Sequence, residues 1–127
     1  MNIVFDLGGV VVRYDRRALL ADLYADPAIH AAVSAGIEAH LNWTEMDRGT
    51  LAEAEAVARA AQRSGVSAAE FGRFMERMAI AWTPIPETVD LLYRLRAKGH
   101  PLFCLSNMHP ASTAFLAGLA SASAAPR

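Results

Sequence analysis

The chain has 127 residues, a formal net charge of −1 at pH 7 and a pI near 6.4. Because basic and acidic residues nearly balance, there is no broad basic field for nucleic acid, and we expect no nucleic-acid partner. The first residues contain Asp6 and lack a basic start and a cleavage site, and no apolar run reaches membrane-spanning length. We therefore expect no signal peptide, no membrane partner and a cytoplasmic location.

The first element is a short apolar run, Ile3-Val4-Phe5, which ends at Asp6 and is followed by the turn Gly8-Gly9. Such a run is typical of a strand in a parallel sheet that is covered on both faces, and we predict a strand near residues 2–7. Ligands bind at the carboxyl ends of these strands. Asp6 is thus placed for nucleophilic attack on phosphorus or for holding a divalent cation, although an acid that merely begins a turn is the alternative.

The middle of the chain, residues 16–82, shows apolar residues at helical spacing and no strand pattern. Thr50 with Glu53, and Ser67 with Glu70, have the spacing of capping boxes that begin helices. An apolar stripe at residues 71–78 is expected to form the core of these helices. The predicted elements are a helix from Arg16 to Ala25, a helix that opens at Asp26-Pro27 and fades near Gly36, a bend at residues 47–49, a helix after Thr50 that ends at Ser64-Gly65, and a helix after Ser67.

The last third of the chain returns to an α/β pattern. A helix is predicted from Glu87 to Lys98, followed by a strand near residues 101–105 that ends in the polar turn Ser106-Asn107. Cys104 lies inside this strand, and we interpret it as a small core residue. One more helix is expected over residues 110–119, and the Ser- and Ala-rich residues 120–127 are expected to fray.

Two motifs together resemble the haloacid dehalogenase-like (HAD) hydrolase superfamily: Phe5-Asp6-Leu7-Gly8-Gly9-Val10 and Leu105-Ser106-Asn107. They are similar to the D-L-G-N-V and L-S-N motifs of a sugar-phosphate phosphatase branch. The resemblance covers residues 1 to about 116 and implies an α/β fold, a partial Rossmann-like parallel sheet with an inserted helical cap. It divides the chain into a partial core (1–15 and 83–119), a cap (16–82) and a tail (120–127).

The resemblance also implies roles for individual residues. Asp6 would attack the phosphoryl group to form an aspartyl-phosphate and would coordinate Mg²⁺, with the carbonyl of Gly8 as a second ligand. Ser106 and Asn107 would hold the phosphate of a small phosphorylated metabolite. Gly8 stands where many relatives have a second Asp that acts as general acid and base, so the proton for the leaving group must come from elsewhere.

Two later motifs of the family have no counterpart in the chain. Lys98 is its only lysine and belongs to the predicted helix, and no Asp, Glu or Lys follows Asn107. We therefore expect a truncated chain with a weak Mg²⁺ site, inactive alone, that associates through an open sheet edge beside its first strand. The alternatives are a non-catalytic remnant or binding module, half of a split enzyme and, chemically, a 2-haloacid dehalogenase.

Several other polar and aromatic residues have a structural role as the preferred interpretation. Trp43 and Asp47 lie where such caps often bring residues near the substrate, but core packing for Trp43 and a turn role for Asp47 are the preferred interpretations. His109 is expected to have a loop role. The arginines at positions 13, 16 and 17 are interpreted as a solvated cluster.

Overall fold

A computed structural model describes residues 1–123 of the chain. Over this range the chain forms four strands and seven helices in an α/β arrangement. In chain order these are β1 (Ile3–Phe5), β2 (Val12–Arg13), α1 (Arg16–Leu23), α2 (Pro27–His40), α3 (Trp43–Asp47), α4 (Glu53–Ser64), α5 (Ala68–Ile80), β3 (Thr83–Pro84), α6 (Pro86–Ala97), β4 (Leu102–Cys104) and α7 (Pro110–Ser123).

The two predicted strands form a parallel pair. β1 and β4 are hydrogen-bonded in a register that sets Ile3 opposite Leu102 and Phe5 opposite Cys104. Between them the chain makes a long excursion through the helices, because parallel neighbours need a crossover connection. The predicted α/β class with a parallel sheet and inserted helices is confirmed, although both strands are shorter than predicted.

A second, antiparallel pair was not predicted. β2 and β3 pair Val12 with Pro84 and Arg13 with Thr83. The Thr83 hydroxyl donates a hydrogen bond to the Arg13 carbonyl at 3.1 Å, and the Ile85 N–H donates to the Val11 carbonyl at 2.8 Å. We call residues 12–13 and 83–84 the neck, because the chain enters the helical segment (residues 16–82) and leaves it through this pair.

Most helix boundaries follow from local capping. The Asp15 carboxylate accepts a hydrogen bond from the Ala18 N–H at 2.9 Å, and Ser67 accepts one from the Glu70 N–H at 3.2 Å. α4 ends at Gly65, whose φ of +72° suits a residue without Cβ. The predicted start at Ser67 and end at Gly65 are confirmed.

Other predicted boundaries are wrong. The Thr50 capping box is absent, because the Thr50 hydroxyl donates to the Glu45 carbonyl at 3.1 Å and the N-cap of α4 is Ala52. α2 does not fade near Gly36 but continues to His40. The last helix continues to Ser123, which contradicts the predicted fraying from residue 120, and residues 124–127 lie outside the described range.

The apolar core lies in the helical segment. α2 packs on α4, α4 on α5 and α1 on α5. The predicted apolar stripe is confirmed as core, since Phe71 and Phe74 are completely buried. The buried cluster comprises Leu19, Leu20, Tyr24, Val33, Ile37, Leu41, Met46, Leu51, Ala56, Val57, Ala60, Phe71, Phe74, Met75 and Met78.

The β1–β4 sheet, in contrast, is largely uncovered over residues 1–123. Val4 and Phe103 are partners in the register and are 57% and 52% exposed, so one face of the sheet is open. Cys104 is exposed, which contradicts its interpretation as a core residue, because the covering that a parallel strand normally receives is missing here. Within the described residues β1 pairs with β4 alone, which leaves its other edge open as expected.

α7 extends the packing of the helical segment. It lies against α5, and Ser112 is completely buried there with its hydroxyl 3.8 Å from the Met78 sulfur. Among the described helices, none is both long enough and apolar enough to cross a membrane.

Candidate functional site

The two predicted polar strand ends meet in space. The Leu105 N–H donates to the Phe5 carbonyl at 2.9 Å, which continues the parallel pairing up to the ends of both strands. Asp6 and Ser106 then follow side by side. The Ser106 hydroxyl donates a hydrogen bond to Oδ1 of Asp6 at 2.6 Å, across 100 positions of sequence.

The loop after Asp6 turns the chain back on itself. The Leu7 N–H donates to Oδ1 of Asp6 at 2.7 Å, and the Leu7 carbonyl accepts from the Val11 and Val12 N–H groups at 2.9 and 3.0 Å. Gly9 has a φ of +76°, a backbone conformation that residues other than glycine rarely adopt. The carboxylate is thereby fixed at the start of a tight turn, where it remains exposed to solvent.

A cleft of about 150 Å³ opens beside this turn. It lies between the two strand ends and the helical segment, and residues of both form its walls. The lining residues are Gly8, Tyr14, Trp43, Asp47, Met78, Trp82, Asn107, Met108 and His109.

Two residues given structural roles by the sequence analysis reach this cleft. Trp43 packs partly against the core, as interpreted, and its indole N–H donates to the Ile37 carbonyl at 3.3 Å, yet its ring also lines the cleft. Asp47 is the last residue of α3 and is exposed. It also lines the cleft, which its interpretation as a turn residue did not predict.

Tyr14 and Trp82 were missed by the sequence analysis. They flank the neck, one after β2 and one before β3, and their rings contact edge to face with centroids 4.9 Å apart. Burial raises the pKa of Tyr14, against a smaller opposing effect of the Arg16 charge. Over the described residues the buried indole N–H of Trp82 has no hydrogen-bond partner. The antiparallel register places both rings at the same end of this strand pair, and no local sequence pattern predicts that pair.

His109 has a structural role, as expected. Its carbonyl accepts from the Thr113 N–H at 3.0 Å and its Nδ1 accepts from the Ala111 N–H at 3.3 Å, which together cap α7. Its Nε2 lies 3.0 Å from a carboxylate oxygen of Glu53 in α4. Both ring nitrogens therefore contact other protein groups, although His109 also lines the cleft.

Within residues 1–123 the permanent positive charges lie away from the cleft. Lys98 is the exposed C-cap of α6, and Arg16 forms an ion pair with Glu38 at 2.8 Å. All three arginines of the expected solvated cluster are exposed. Among the described residues, no lysine and no arginine lines the cleft.

The donors available to a cation are few. Within residues 1–123 no three His, Cys, Asp or Glu side chains cluster as a metal site. Asp6 offers one carboxylate, and both of its described hydrogen bonds end on Oδ1. Mg²⁺ is commonly held by one or two carboxylates together with water and substrate phosphate, so Asp6 with the Gly8 carbonyl forms a minimal donor set.

Comparison with known proteins shows the fold. The chain is similar to a solved HAD family enzyme, BT-2542 from Bacteroides thetaiotaomicron, the wild-type protein in complex with magnesium and inorganic phosphate. The TM-score is 0.60 at 20% sequence identity, and the match covers 91% of this chain and 57% of that one. No family model and no curated protein matches the chain. The expected HAD-like fold is confirmed, and the chain spans just over half the length of that enzyme.

Proposed function

We propose that the chain carries the nucleophile-bearing part of a magnesium-dependent phosphohydrolase for small phosphorylated metabolites, with sugar phosphates as the substrate class. The contact between Ser106 and Asp6 at 2.6 Å carries this proposal, because it joins a carboxylate and a hydroxyl at the carboxyl ends of two parallel strands. The similarity to an enzyme that holds magnesium and phosphate supports it.

Asp6 is the nucleophile in this proposal. Its carboxylate attacks phosphorus, the bond to the ester oxygen breaks, and the alcohol leaves with a proton. Water then attacks the aspartyl-phosphate, releases inorganic phosphate and restores the carboxylate. Gly8 has no side chain that could donate the proton, so the proton comes from another residue or from water.

Ser106 and Asn107 hold the phosphate in this proposal. The Ser106 hydroxyl donates to Asp6 in the described structure, and rotation about its side chain would let it donate to a phosphate oxygen instead. Asn107 lines the cleft directly beyond it. Donors aimed at the transferring group stabilise the charge that develops on its oxygens.

The metal would be held by Asp6 and the carbonyl of Gly8. Bound there, Mg²⁺ would neutralise charge on the phosphoryl oxygens. Because one carboxylate is a minimal donor set, we expect weak binding that depends on phosphate being present. Residues 1–123 bring no lysine and no second carboxylate to this position, so the chain alone is expected to turn over substrate poorly.

The other interpretations remain as alternatives to test. A split enzyme would gain the missing groups from another polypeptide through the open edge of β1. A binding module would use the helical segment without chemistry. Chloride release from a 2-chloro acid without Mg²⁺ would instead favour the dehalogenase. The predicted cytoplasmic location and domain boundaries stay predictions.

Phosphate binding gives a direct test, because both tryptophans of the chain line the cleft and their fluorescence reports on its occupancy. Without Mg²⁺, Asp6→Asn removes an anion that faces phosphate, so its affinity for orthophosphate should rise. With Mg²⁺, the same variant loses the metal ligand, and its affinity should fall below that of the unmodified chain. Ser106→Ala should weaken binding about tenfold in both conditions.

A matched control is Asp90→Asn on α6, an exposed residue away from the cleft that loses the same charge. It should behave as the unmodified chain does. If Asp6→Asn and the control bind orthophosphate equally, with and without Mg²⁺, then Asp6 does not face the phosphate and the proposal is wrong. A magnesium-dependent phosphatase activity that survives Asp6→Asn would contradict it as well.

A further inference from the structure

We propose that the cleft selects phosphate esters whose leaving group is compact and carries no negative charge, and that Asp47 is the residue that rejects a second anion. The expected substrates are monophosphates of small polyols, as opposed to bisphosphates or phosphorylated acids. This inference rests on the proposed phosphohydrolase function, because it assigns the space next to the phosphate to the leaving group.

The charge of the cleft wall is the first observation. Among the described residues that line the cleft, Asp47 is the carboxylic acid and His109 is the imidazole. His109 is 8% exposed, and its two ring nitrogens contact Glu53 and the Ala111 N–H. Over residues 1–123, the wall therefore offers no lysine or arginine to a second anionic group.

The carboxylate of Asp47 is not neutralised by an ion pair within residues 1–123. The neighbouring Arg48 is exposed and does not line the cleft. A carboxylate or second phosphate on a ligand in the cleft would therefore face a like charge on the cleft wall. Such like-charge contacts disfavour the wrong ligand strongly enough to determine specificity.

The size and the aromatic wall give the second observation. A cavity of about 150 Å³ is known to hold one benzene molecule, which corresponds to a leaving group of about six heavy atoms. Tyr14, Trp43 and Trp82 form apolar walls for the C–H faces of such a group. Asp47 and Asn107 can accept hydrogen bonds from its hydroxyls.

A matched pair of ligands tests the charge preference. sn-Glycerol 3-phosphate and 3-phosphoglycerate differ in one end group, a hydroxymethyl in the first and a carboxylate in the second. Tryptophan fluorescence should show that the unmodified chain, with Mg²⁺, binds glycerol 3-phosphate about tenfold more tightly. Asp47→Asn should bring this ratio close to one by improving the binding of 3-phosphoglycerate, and Asp47→Ser should do the same.

The controls separate this inference from the proposed function. Asp90→Asn removes an equal charge outside the cleft and should leave the ratio unchanged. If orthophosphate binding depends on Asp6 but the unmodified chain binds both esters equally, or if Asp47→Asn leaves the ratio unchanged, the inference is wrong and the proposed function stands. If orthophosphate binding is absent or independent of Asp6, both are wrong.

Discussion

Replacement of Gly36 by alanine should destabilise the chain, although alanine favours helices. Gly36 lies within α2 and faces Phe71 of α5. A Cβ added there would be 2.5 Å from Cζ of Phe71 and 3.0 Å from its Cε1. Because Phe71 is completely buried, its ring has no free space to move into, and the two helices must separate.

The magnitude follows from two opposing contributions. Overpacking of a core costs about 1–3 kcal/mol, and a contact of this closeness belongs to the upper part of that range. Alanine in place of glycine inside a helix contributes about 1 kcal/mol in the other direction. The free energy of unfolding should therefore fall by about 1–2 kcal/mol.

Gly72→Ala is the matched control. Gly72 lies inside α5, and no atom lies within 4 Å of the Cβ that alanine would add. This variant should gain about 0.5–1 kcal/mol from helix propensity. Urea unfolding followed by far-UV circular dichroism measures both. If Gly36→Ala is as stable as the unmodified chain while Gly72→Ala gains stability, the packing of α2 on Phe71 is described wrongly.

Three further predictions concern other parts of the fold. Burial raises the pKa of both Tyr14 and Tyr24 above the ordinary tyrosine value of 10.0. The free energy of unfolding should therefore fall as the pH rises above 10.0. In urea titrations, Tyr24→Phe should make this fall with pH less steep. His109→Ala should cost about 1–2 kcal/mol in urea unfolding because it removes the cap of α7 and the contact with Glu53, whereas His109→Asn should recover the capping part. Cys104 should react with a maleimide without denaturant, and slower labelling at higher protein concentration would reveal association over the sheet.

The parallel pair and the meeting of Asp6 with Ser106 were predictable from sequence because they depend on short-range signals. Each strand is an apolar run that ends in a polar turn, and the carboxyl ends of parallel strands share one edge of the sheet. The caps at Ser67 and Gly65 were predictable for the same reason, since a cap is decided by one or two residues.

The cleft and the neck were not predictable in the same way. The strands of the neck have two residues each, and one of them contains Pro84, which local patterns exclude from most strands. Asp47 and Trp82 are 35 positions apart in sequence and both line the cleft, which no local pattern encodes. Cys104 was wrongly interpreted because a strand pattern predicts covering layers that residues 1–123 do not provide.

The 100-residue separation between Asp6 and Ser106 has a consequence for the order of folding. Closing a flexible loop of that length costs about 2 kcal/mol more entropy than closing a loop of ten residues. The helices of this segment pack on one another, and once they have formed, the neck holds the two ends of the helical segment together. The short remaining connections make the pairing of β1 with β4 a local event. A mutation deep in the helical core that unfolds the helices should therefore weaken phosphate binding, because a longer flexible loop must then close to bring Asp6 and Ser106 together.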